Sequence, residues 1–552
     1  MNRFLKKWKR ALGFAGFFSL FINMLQLVFP VYMLIIFDKV LASRSIPTLL
    51  TVSVGAVLAL VVLACLDFLR SRLLIRVGLS VDQNLTEPVV REMMRDAVRI
   101  DSRSYREGIV DINTLRNFLA GNAAFSFFDL PWVPVYVAAI FCMHPLLGWL
   151  AVAGILVVLV LGIAQEYLSG PRFTMAKTME RHSGQLLTLG LRNAEVIAGM
   201  NMLPGMIAHW KEPYDQALYL QTKAYRFSTA LGSVSGSFRT AMQVLVYGLG
   251  AYLVLENEST AGVMIAASVI MRQAMGPVDR IMGTWKQTVD ARAAYKRLAG
   301  LLEAASERPA MELPDPEGKV DVETASLAIG GRPILAGVSF ALAPGESMGL
   351  IGPSGAGKSS LCRLLLGIWG ATSGTVRLDG ADIATWDRDA LGRHIGYLPQ
   401  DVELFAGTVS ENIARMGTVE PEKVVEAATL AGIHDMVLRL PQGYDTQIGD
   451  LGMQLSGGQR QLIGLARVFY GGPKFVILDE PNSNLDDSGE RALGQALREL
   501  KARRVTTVMV THKPSLLASA DKVLVLKEGR SAFFGPREEV FQAMAAASAG
   551  RA

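Results

Sequence analysis

The 552-residue sequence predicts a multi-domain chain, in which an all-α region of six membrane-spanning helices is followed by an α/β domain. Apolar residues make up 51% of the sequence, and their excess lies near the N-terminal side, in runs long enough to cross a bilayer. In the C-terminal part, short β-rich runs alternate with helical patterns, which is typical of a mainly parallel sheet. We expect four segments: a basic interfacial segment over 1–10, a membrane domain over 11–297, a linker over 298–319 and the α/β domain over 320–552.

A membrane span needs about 20 consecutive, mostly apolar residues. The candidate runs are 11–37, 49–69, 123–143, 146–165, 235–255 and 261–283. The first four are too long and too free of charge for buried helices of a large soluble protein. The polar segments 70–122 and 166–234 are helical in pattern and too long for turns, so we expect helices that continue out of the membrane and transmit motion.

Basic residues near the span ends predict the orientation. Lysines and arginines precede the first span and follow the second and sixth, whereas the loop after the fifth contains Glu256 and Glu258 and no basic residue. Both termini and the α/β domain are therefore expected on the cytoplasmic side. Within 1–10, apolar residues share one helical stripe opposite lysines. A helix in the headgroup layer and a basic tail that serves only topology fit this pattern equally well.

Other features of the composition exclude some classes of protein. The net charge of +5 is spread over loops, so no basic tract indicates nucleic-acid binding. Cys65, Cys142 and Cys362 indicate no disulfide framework. The first apolar run is longer than the core of a cleavable signal peptide.

Arg272 lies inside the sixth apolar run, where a charged side chain is costly unless it faces a polar interior. Gln273 beside it, and Gly276 with Pro277 after it, indicate a local break in regular helix packing. We expect Arg272 either to line a substrate path or to pair with another span.

The first functional motif of the α/β domain is a glycine-rich phosphate loop of the form G-x-x-x-x-G-K-[ST]. Ser360 follows it directly. The members of the loop are Gly352, Pro353, Ser354, Gly355, Ala356, Gly357, Lys358 and Ser359. The backbone N–H groups of such a loop and the N-terminus of the next helix face nucleotide phosphates. Lys358 would reach the β- and γ-phosphates of ATP, and Ser359 would offer its hydroxyl to Mg²⁺.

The apolar strand 475–478 ends at Asp479, which puts a carboxylate at the metal, and the adjacent Glu480 is suited to orient or deprotonate water. A second glycine turn, Ser456, Gly457, Gly458 and Gln459, begins a helix and forms a second anion site. Because the phosphates of one ATP are already surrounded by the first loop, this turn makes sense if it comes from another subunit. We therefore expect a pair of chains.

Together these motifs resemble a half-size ABC transporter, which has six spans and then one ATPase domain. The resemblance implies that Gly352–Ser359 is the Walker A loop, that Asp479 ends the Walker B strand and that Glu480 is the catalytic carboxylate. It also implies that Leu455–Gln459 acts in trans as the signature motif. Three further residues take roles by resemblance: Gln400 in the Q-loop at Mg²⁺ and water, Asp486 in the D-loop, and His512 as the switch histidine at the γ-phosphate.

The membrane part contains the strings 37–45, 127–132 and 144–148, which resemble type I secretion ATPases, best those of the PrtD-like branch. That branch exports proteases and related proteins with an uncleaved C-terminal signal. The resemblance implies a homodimer in the bacterial inner membrane, with a periplasmic membrane fusion (adaptor) protein, an outer-membrane channel and a secreted protein substrate as partners. A half-size exporter of lipids, drugs or peptides is the alternative, since it shares all the ATPase motifs.

Two departures from related families carry expectations. Related peptide exporters have a peptidase domain before the first span, and the ten residues before residue 11 are too few for one, so we expect no leader trimming. The family usually offers an aromatic residue for adenine stacking, but the stretch 326–330 contains none. Either Ile329 gives an apolar contact or another residue stacks.

Overall fold

The computed structural model describes residues 2–98, 107–306, 313–449 and 455–549. These residues fall into two compact units: 2–94 with 107–306, and 95–98 with 313–549.

The first unit is entirely helical within the described residues. Its elements are α1 Asn2–Gln26, α2 Val28–Ile35, a π-helical turn Ile36–Val40, α3 Leu41–Ser43, α4 Ile46–Ala97, α5 Gly108–Ala120, α6 Asn122–Asp129, a 3-10 turn Leu130–Trp132, α7 Val133–Met143, α8 Pro145–Arg192, α9 Ala194–Gly199, α10 Leu203–Leu255 and α11 Ala261–Ser306.

Six helical stretches in the described ranges are long and apolar enough to cross a membrane, which confirms the six predicted runs. They are Arg10–Ser43, Ile46–Ala97, Ala123–Met143, Pro145–Arg192, Leu203–Leu255 and Ala261–Glu303. The apolar part of α4 has no buried residue, and Leu50, Val54 and Leu58 are more than half exposed. A bare apolar surface of this size on a helix is what a lipid environment requires.

Four helices extend well beyond their apolar parts, and three of them, α4, α8 and α10, continue into the polar segments 70–122 and 166–234 as expected. α4, α8 and α10 have 52, 48 and 53 residues, and α11 has 46. Each contains one proline in its interior: Pro88, Pro171, Pro213 and Pro277. A proline inside a helix removes one backbone hydrogen bond and favours a bend.

The predicted linker starts too early, because α11 continues through Leu298 to Ser306. Leu298 is fully buried against Val81, Leu85 and Ile112, since it occupies the apolar face of the helix. Residues 307–312 of the expected linker lie outside the described residues, and 313–319 lead into the first strand without a helix or strand before Val320. The side chains of the basic segment 1–9 are likewise not described, although 2–10 form the start of α1.

The second unit alternates strands and helices. Its elements are β1 Val320–Ile329, β2 Arg332–Leu342, β3 Ser347–Ile351, α12 Lys358–Leu365, β4 Ser373–Leu378, β5 Ala381–Asp382, α13 Arg388–Leu391, β6 Ile395–Leu398, β7 Gly407–Thr408, α14 Val409–Ile413, α15 Pro421–Leu430, α16 His434–Leu438, a 3-10 turn Gly443–Asp445, β8 Gln447–Ile448, α17 Gly457–Phe469, β9 Phe475–Asp479, α18 Asp487–Ala502, β10 Thr506–Val510, α19 Pro514–Leu517, β11 Lys522–Lys527, β12 Arg530–Pro536 and α20 Arg537–Ala549.

The central sheet has the strand order β12-β11-β3-β10-β9-β6, with β12 antiparallel and the other five strands parallel. Val510 pairs with Leu350 on one side and with Asp479 on the other. A parallel sheet is covered on both faces, and every residue of β9 and β10 is accordingly buried. A separate antiparallel sheet has the order β2-β1-β4-β5, and β7 pairs with β8.

Candidate active site

Four neighbouring parallel strands, β3, β10, β9 and β6, end at the same edge of the central sheet. The phosphate loop follows β3, His512 follows β10, Asp479 and Glu480 end β9, and Gln400 follows β6. The carboxyl edge of a parallel sheet is where ligands bind in open α/β folds. Residues that are far apart in the sequence are thus brought to one edge by the strand order.

The phosphate loop connects β3 to α12 with little room for side chains. A Cβ added at Gly352 would lie 2.2 Å from the carbonyl oxygen of Leu526, and one at Gly357, which has φ +99°, would lie 2.8 Å from Leu335 Cδ2. Lys358 is buried, and its Nζ donates hydrogen bonds to the carbonyl oxygens of Gly352 (2.7 Å) and Pro353 (3.1 Å). The ammonium group therefore lies over the loop, as a phosphate-binding lysine requires.

The exposed residues of the loop are Pro353, Ser354 and Gly355, whereas Ala356 is buried. The open side of the loop therefore presents Pro353, the short side chain of Ser354 and the bare backbone of Gly355. This surface fits a chain of phosphates, because backbone N–H groups can approach the anion without a Cβ between them. Ser360 is half-buried in the first turn of α12.

Ser359 and Asp479 are brought together, since the Ser359 side chain interacts with the Asp479 carboxylate and partly offsets the effect of burial on its pKa. Asp479 is only 3% exposed, and this burial raises the pKa of its carboxyl group. A buried carboxylate beside a hydroxyl suits Mg²⁺, which prefers oxygen ligands and commonly uses one or two carboxylates together with substrate phosphates. Within the described residues, no three His, Cys, Asp or Glu side chains converge in a second type of metal site.

Glu480 has a left-handed backbone with φ +50°, which costs a non-glycine residue about 1 kcal/mol or more. Its N–H donates to the carbonyl oxygen of Val510 at 3.0 Å, which ties the turn to the end of β10. Its Oε2 accepts a hydrogen bond from Gln400 Nε2 at 3.2 Å. Two residues that the sequence assigned to the site separately, Gln400 and Glu480, are thus in contact. His512 is exposed directly after β10.

The second glycine turn begins α17, with Ser456 as the N-cap. Ser456 Oγ accepts from the Gln459 N–H at 3.2 Å, and Gln459 Oε1 accepts from the Ser456 N–H at 2.9 Å, which completes a capping box. Gly457 and Gly458 occupy the first two helical positions. Their N–H groups lie at the positive end of the helix dipole, where an anion is stabilised. A role toward nucleotide in trans stays a prediction.

Asp486 acts locally in the structure. It is the N-cap of α18, and its Oδ1 accepts hydrogen bonds from the Gly489 N–H and the Ser488 hydroxyl, both at 2.8 Å. The bond from the Gly489 N–H is the main reason that the pKa of Asp486 is lowered. The predicted contact of Asp486 with nucleotide stays a prediction. The predicted contact of Ile329 with the adenine base also stays a prediction, and Ile329 is half-buried at the end of β1.

Sequence reasoning missed Gln461, a buried amide on α17 that contacts the turn after Glu480. Its Nε2 donates to the carbonyl oxygen of Pro481 at 2.5 Å. Residues 461–470 read only as a helical run in the sequence. One signal in the sequence could have identified it: a glutamine lies among the apolar residues of this helix. Gln461 is buried, as are Ile463, Leu465 and Val468.

In the membrane unit, Arg272 is exposed and borders a cavity of about 270 Å³ between α10 and α11. Within the described ranges it makes no ion pair with another span, which was the alternative expectation. The cavity is also lined by Gln243 and by an ion pair between Arg239 and Asp279 with an N–O distance of 2.6 Å. Six of its ten lining residues are polar or charged, and Met271 and Met275 are among the other four.

A buried polar network joins four of the spanning stretches. Asp129 Oδ1 accepts from Arg70 at 2.9 Å and from Asn23 Nδ2 at 3.1 Å, and Asp129 Oδ2 accepts from Arg280 at 3.1 Å. The hydroxyl of Tyr136 donates to Asn23 Oδ1 at 2.9 Å. Arg70 and Asp129 are 5% and 4% exposed. Buried charges are tolerated only when they are paired and hydrogen-bonded, so these contacts hold the spans in register.

Comparison with known proteins agrees with this geometry. The family model of the ABC transporter matches residues 335–483, and that of the ABC transporter transmembrane region matches residues 12–278. The type I secretion system ATP-binding protein PrsD of Rhizobium meliloti (strain 1021) is 40% identical over 538 residues, which are 95% of this chain and 91% of the relative.

More distant relatives extend the comparison. The leukotoxin translocation ATP-binding protein LktB of Mannheimia haemolytica is 27% identical over 537 residues, or 95% of this chain and 75% of the relative. A bacterial Atm1-family ABC exporter solved with ATP bound shares the fold, with a TM-score of 0.81, 23% identity and 97% of each chain covered. The chain therefore belongs to the ABC transporters, and among them it is a half-transporter ATPase of the type I secretion ATP-binding proteins.

Proposed function

We propose that this chain uses ATP hydrolysis to export a protein with an uncleaved C-terminal signal across the inner membrane, as the homodimeric ABC component of a type I secretion system. The main support is the 40% identity to PrsD across 95% of the chain, because the match includes the membrane domain as well as the ATPase domain. ATPase motifs alone are shared with exporters of other cargo, so identity that extends over the membrane domain favours a secretion ATPase.

In the proposed reaction, the phosphate loop and Lys358 hold the phosphates of ATP. Ser359, Asp479 and Gln400 would hold Mg²⁺, which neutralises phosphate charge when bound. The Glu480 carboxylate orients the attacking water and accepts its proton. His512 contacts the γ-phosphate.

The homodimer follows from the motif count and from helix electrostatics. The sequence contains one copy of the phosphate loop and one copy of the glycine turn 456–459. The N-terminus of α17 attracts an anion, and the γ-phosphate bound by a second chain is the anion that this turn would meet. In such an arrangement each turn, with Asp486 nearby in the same chain, completes the site of its partner.

The polar cavity beside Arg272 is the proposed substrate path. A positive side chain within an apolar run is costly, and it usually marks a pathway or a polar interior. Arg239 is neutralised by Asp279, whereas Arg272 is exposed and makes no such pair within the described ranges. The cavity therefore offers a local positive charge toward a passing polypeptide.

The basic residues near the span ends support cytoplasmic termini and a cytoplasmic ATPase domain. Export from the inner membrane through a second membrane requires a continuous route. We therefore expect a periplasmic adaptor protein and an outer-membrane channel as partners.

Deletion of the gene in its native host, followed by mass spectrometry of the culture supernatant, tests the proposed export. One or a few proteins should disappear from the supernatant and accumulate in cells. The wild-type chain should restore them, and Glu480→Gln at equal abundance should not. An unchanged set of secreted proteins, with altered lipid, drug or small-peptide export instead, would support the alternative class of half-transporter.

The homodimer has its own test. The solubilised chain should have a protein mass twice its 59.8 kDa. If both sites are needed, mixing equal amounts of wild-type and Glu480→Gln subunits before assembly should leave about one quarter of the wild-type ATPase activity, since pairing is random in a symmetric dimer. Retention of half the activity would mean that each copy hydrolyses independently.

A further inference from the structure

The reaction proposed above assigns no role to Gln461. It is 1% exposed and lies on α17, in the first turns after the Gly457–Gly458 pair. Buried polar side chains are hydrogen-bonded in native structures, and their partners indicate what they hold in place. All partners of the Gln461 amide belong to one segment, residues 480–484.

The amide bridges the two ends of this segment. Gln461 Nε2 donates to the carbonyl oxygens of Pro481 at 2.5 Å and Glu480 at 3.3 Å, and it also lies 3.4 Å from Ser483 Oγ. Gln461 Oε1 accepts from the Asn484 N–H at 2.9 Å. Both functional ends of one side chain are therefore committed to the backbone that follows the catalytic carboxylate.

The segment needs such support because of its backbone. Glu480 has φ +50°, which is unfavourable for a residue with a Cβ and persists only when its surroundings hold it. The Glu480 N–H is held by Val510, and the Glu480 C=O is held by Gln461. The direction of the Glu480 side chain follows from this peptide geometry, since among the described residues its carboxylate receives a single long hydrogen bond, from Gln400.

The glycine turn packs against the same segment. A Cβ added at Gly458 would lie 2.9 Å from the carbonyl oxygen of Asn484, and one at Gly457 would lie 3.7 Å from the Asn484 side chain. α17 thus contacts residues 480–484 both through its first two glycines and through Gln461. A shift of α17 along its axis would move the backbone on which Glu480 is carried.

We propose that Gln461 is a positioning residue for ATP hydrolysis, which fixes the backbone of Glu480 and ties it to the glycine turn at the start of α17. In the homodimer proposed above, that turn faces the nucleotide of the partner subunit. Gln461 then makes the orientation of Glu480 in one site depend on the nucleotide in the other. This last step rests on the proposed homodimer, whereas the positioning of Glu480 does not.

The test measures ATP turnover by the full-length chain in detergent or lipid. Gln461→Met keeps the volume of the side chain and removes the amide. Because misplacement of a catalytic group by about 1 Å can cost on the order of a hundredfold, kcat should fall at least about tenfold while KM for ATP stays within about twofold. Gln461→Glu keeps an acceptor for the Asn484 N–H but cannot donate to Glu480 and Pro481, so it should lower kcat at least as much.

A matched control separates positioning from the general loss of a buried polar group. Thr506 is 0% exposed, and its hydroxyl also bridges backbone groups, because it donates to the carbonyl oxygen of Gly318 at 2.7 Å and accepts from the Gly345 N–H at 2.9 Å. Thr506→Val removes this hydroxyl at the far end of β10 from Glu480, so it should lower thermal stability and leave kcat close to that of the wild type. A fall in kcat as large as that of Gln461→Met would overturn the proposal.

A double-mutant cycle gives the second readout. In single-turnover experiments, Gln461→Met should change the residual rate of a Glu480→Gln chain by less than about twofold, because groups that act through one carboxylate are not additive. Full additivity would overturn the proposal, and so would wild-type kcat in folded Gln461→Met and Gln461→Glu chains. A monomeric mass would refute the homodimer and leave this test of Gln461 unaffected.

Discussion

Removal of Asp129 should destabilise the membrane domain strongly. In Asp129→Leu, the buried guanidinium of Arg70 loses its buried counter-charge, and its Nε already has no hydrogen-bond partner in the part of the chain that the structure describes. Breaking a buried ion pair costs about 3–5 kcal/mol. Arg70 retains Asp67 at 2.7 Å and Ser19 Oγ at 2.8 Å, so we expect the lower end, about 3 kcal/mol.

The assay is thermal unfolding of the full-length chain in detergent, followed by intrinsic tryptophan fluorescence. Asp129→Leu should lower the midpoint by several degrees. Adding Arg70→Met should recover most of the loss, because it removes the buried unpaired charge, whereas Arg280, the other charged partner of Asp129, is 48% exposed and is solvated. Lys177→Met is the control, since its contact with Asp290 is exposed and exposed pairs contribute about 0–1 kcal/mol. If the double variant is as unstable as Asp129→Leu, the buried charge is not the cause.

The remaining predictions concern the ATPase site and the start of α11. Glu480→Gln should bind ATP as the wild type does and lose at least about a hundredfold in turnover, and unchanged hydrolysis in a phosphate-release assay would refute its role. Gly262→Ala should lower the unfolding midpoint, because a Cβ there would lie 2.5 Å from the Asp38 oxygen that caps α11. Asp38→Ala should lower the free energy of unfolding by about 1 kcal/mol, because a helix cap is lost. Adding Gly262→Ala to Asp38→Ala should not lower the free energy of unfolding further. Asp479→Asn should stabilise the nucleotide-free chain at neutral pH, because the raised pKa of Asp479 means that folding penalises its charged form. The advantage should shrink as pH falls through that raised pKa and vanish below the ordinary value of 3.8, so melting curves that differ equally at all pH values would contradict it.

The groups at the sheet edge were predictable because each follows its own strand in a local motif. Lys358, Asp479 and Gln400 are separated by many residues, yet the rule that parallel strands carry ligands at their carboxyl ends brings them together. The apolar runs were predictable for a similar reason, since the length of an uncharged run is a local property.

Several contacts that sequence reasoning missed join helices that are far apart in the sequence. Arg70 and Asp129 are 59 residues apart, and nothing in the periodicity of either helix specifies the other as its partner. Asp38 likewise caps a helix that begins more than 200 residues later. The end of the sixth spanning helix was misjudged because glutamate and prolines beyond Leu298 are typical of a linker, whereas packing on Leu298 continues the helix.

The internal prolines give the long helices a defined mechanical character. At 1.5 Å per residue, α4 is about 78 Å long, whereas the hydrocarbon core of a bilayer is about 30 Å thick. A regular helix of that length is stiff, so a tilt of a few degrees at one end displaces the other by several ångströms. Pro88, Pro171, Pro213 and Pro277 each remove one hydrogen bond from such a rod. Bending then concentrates at four fixed joints, and the segments between them move as rigid pieces.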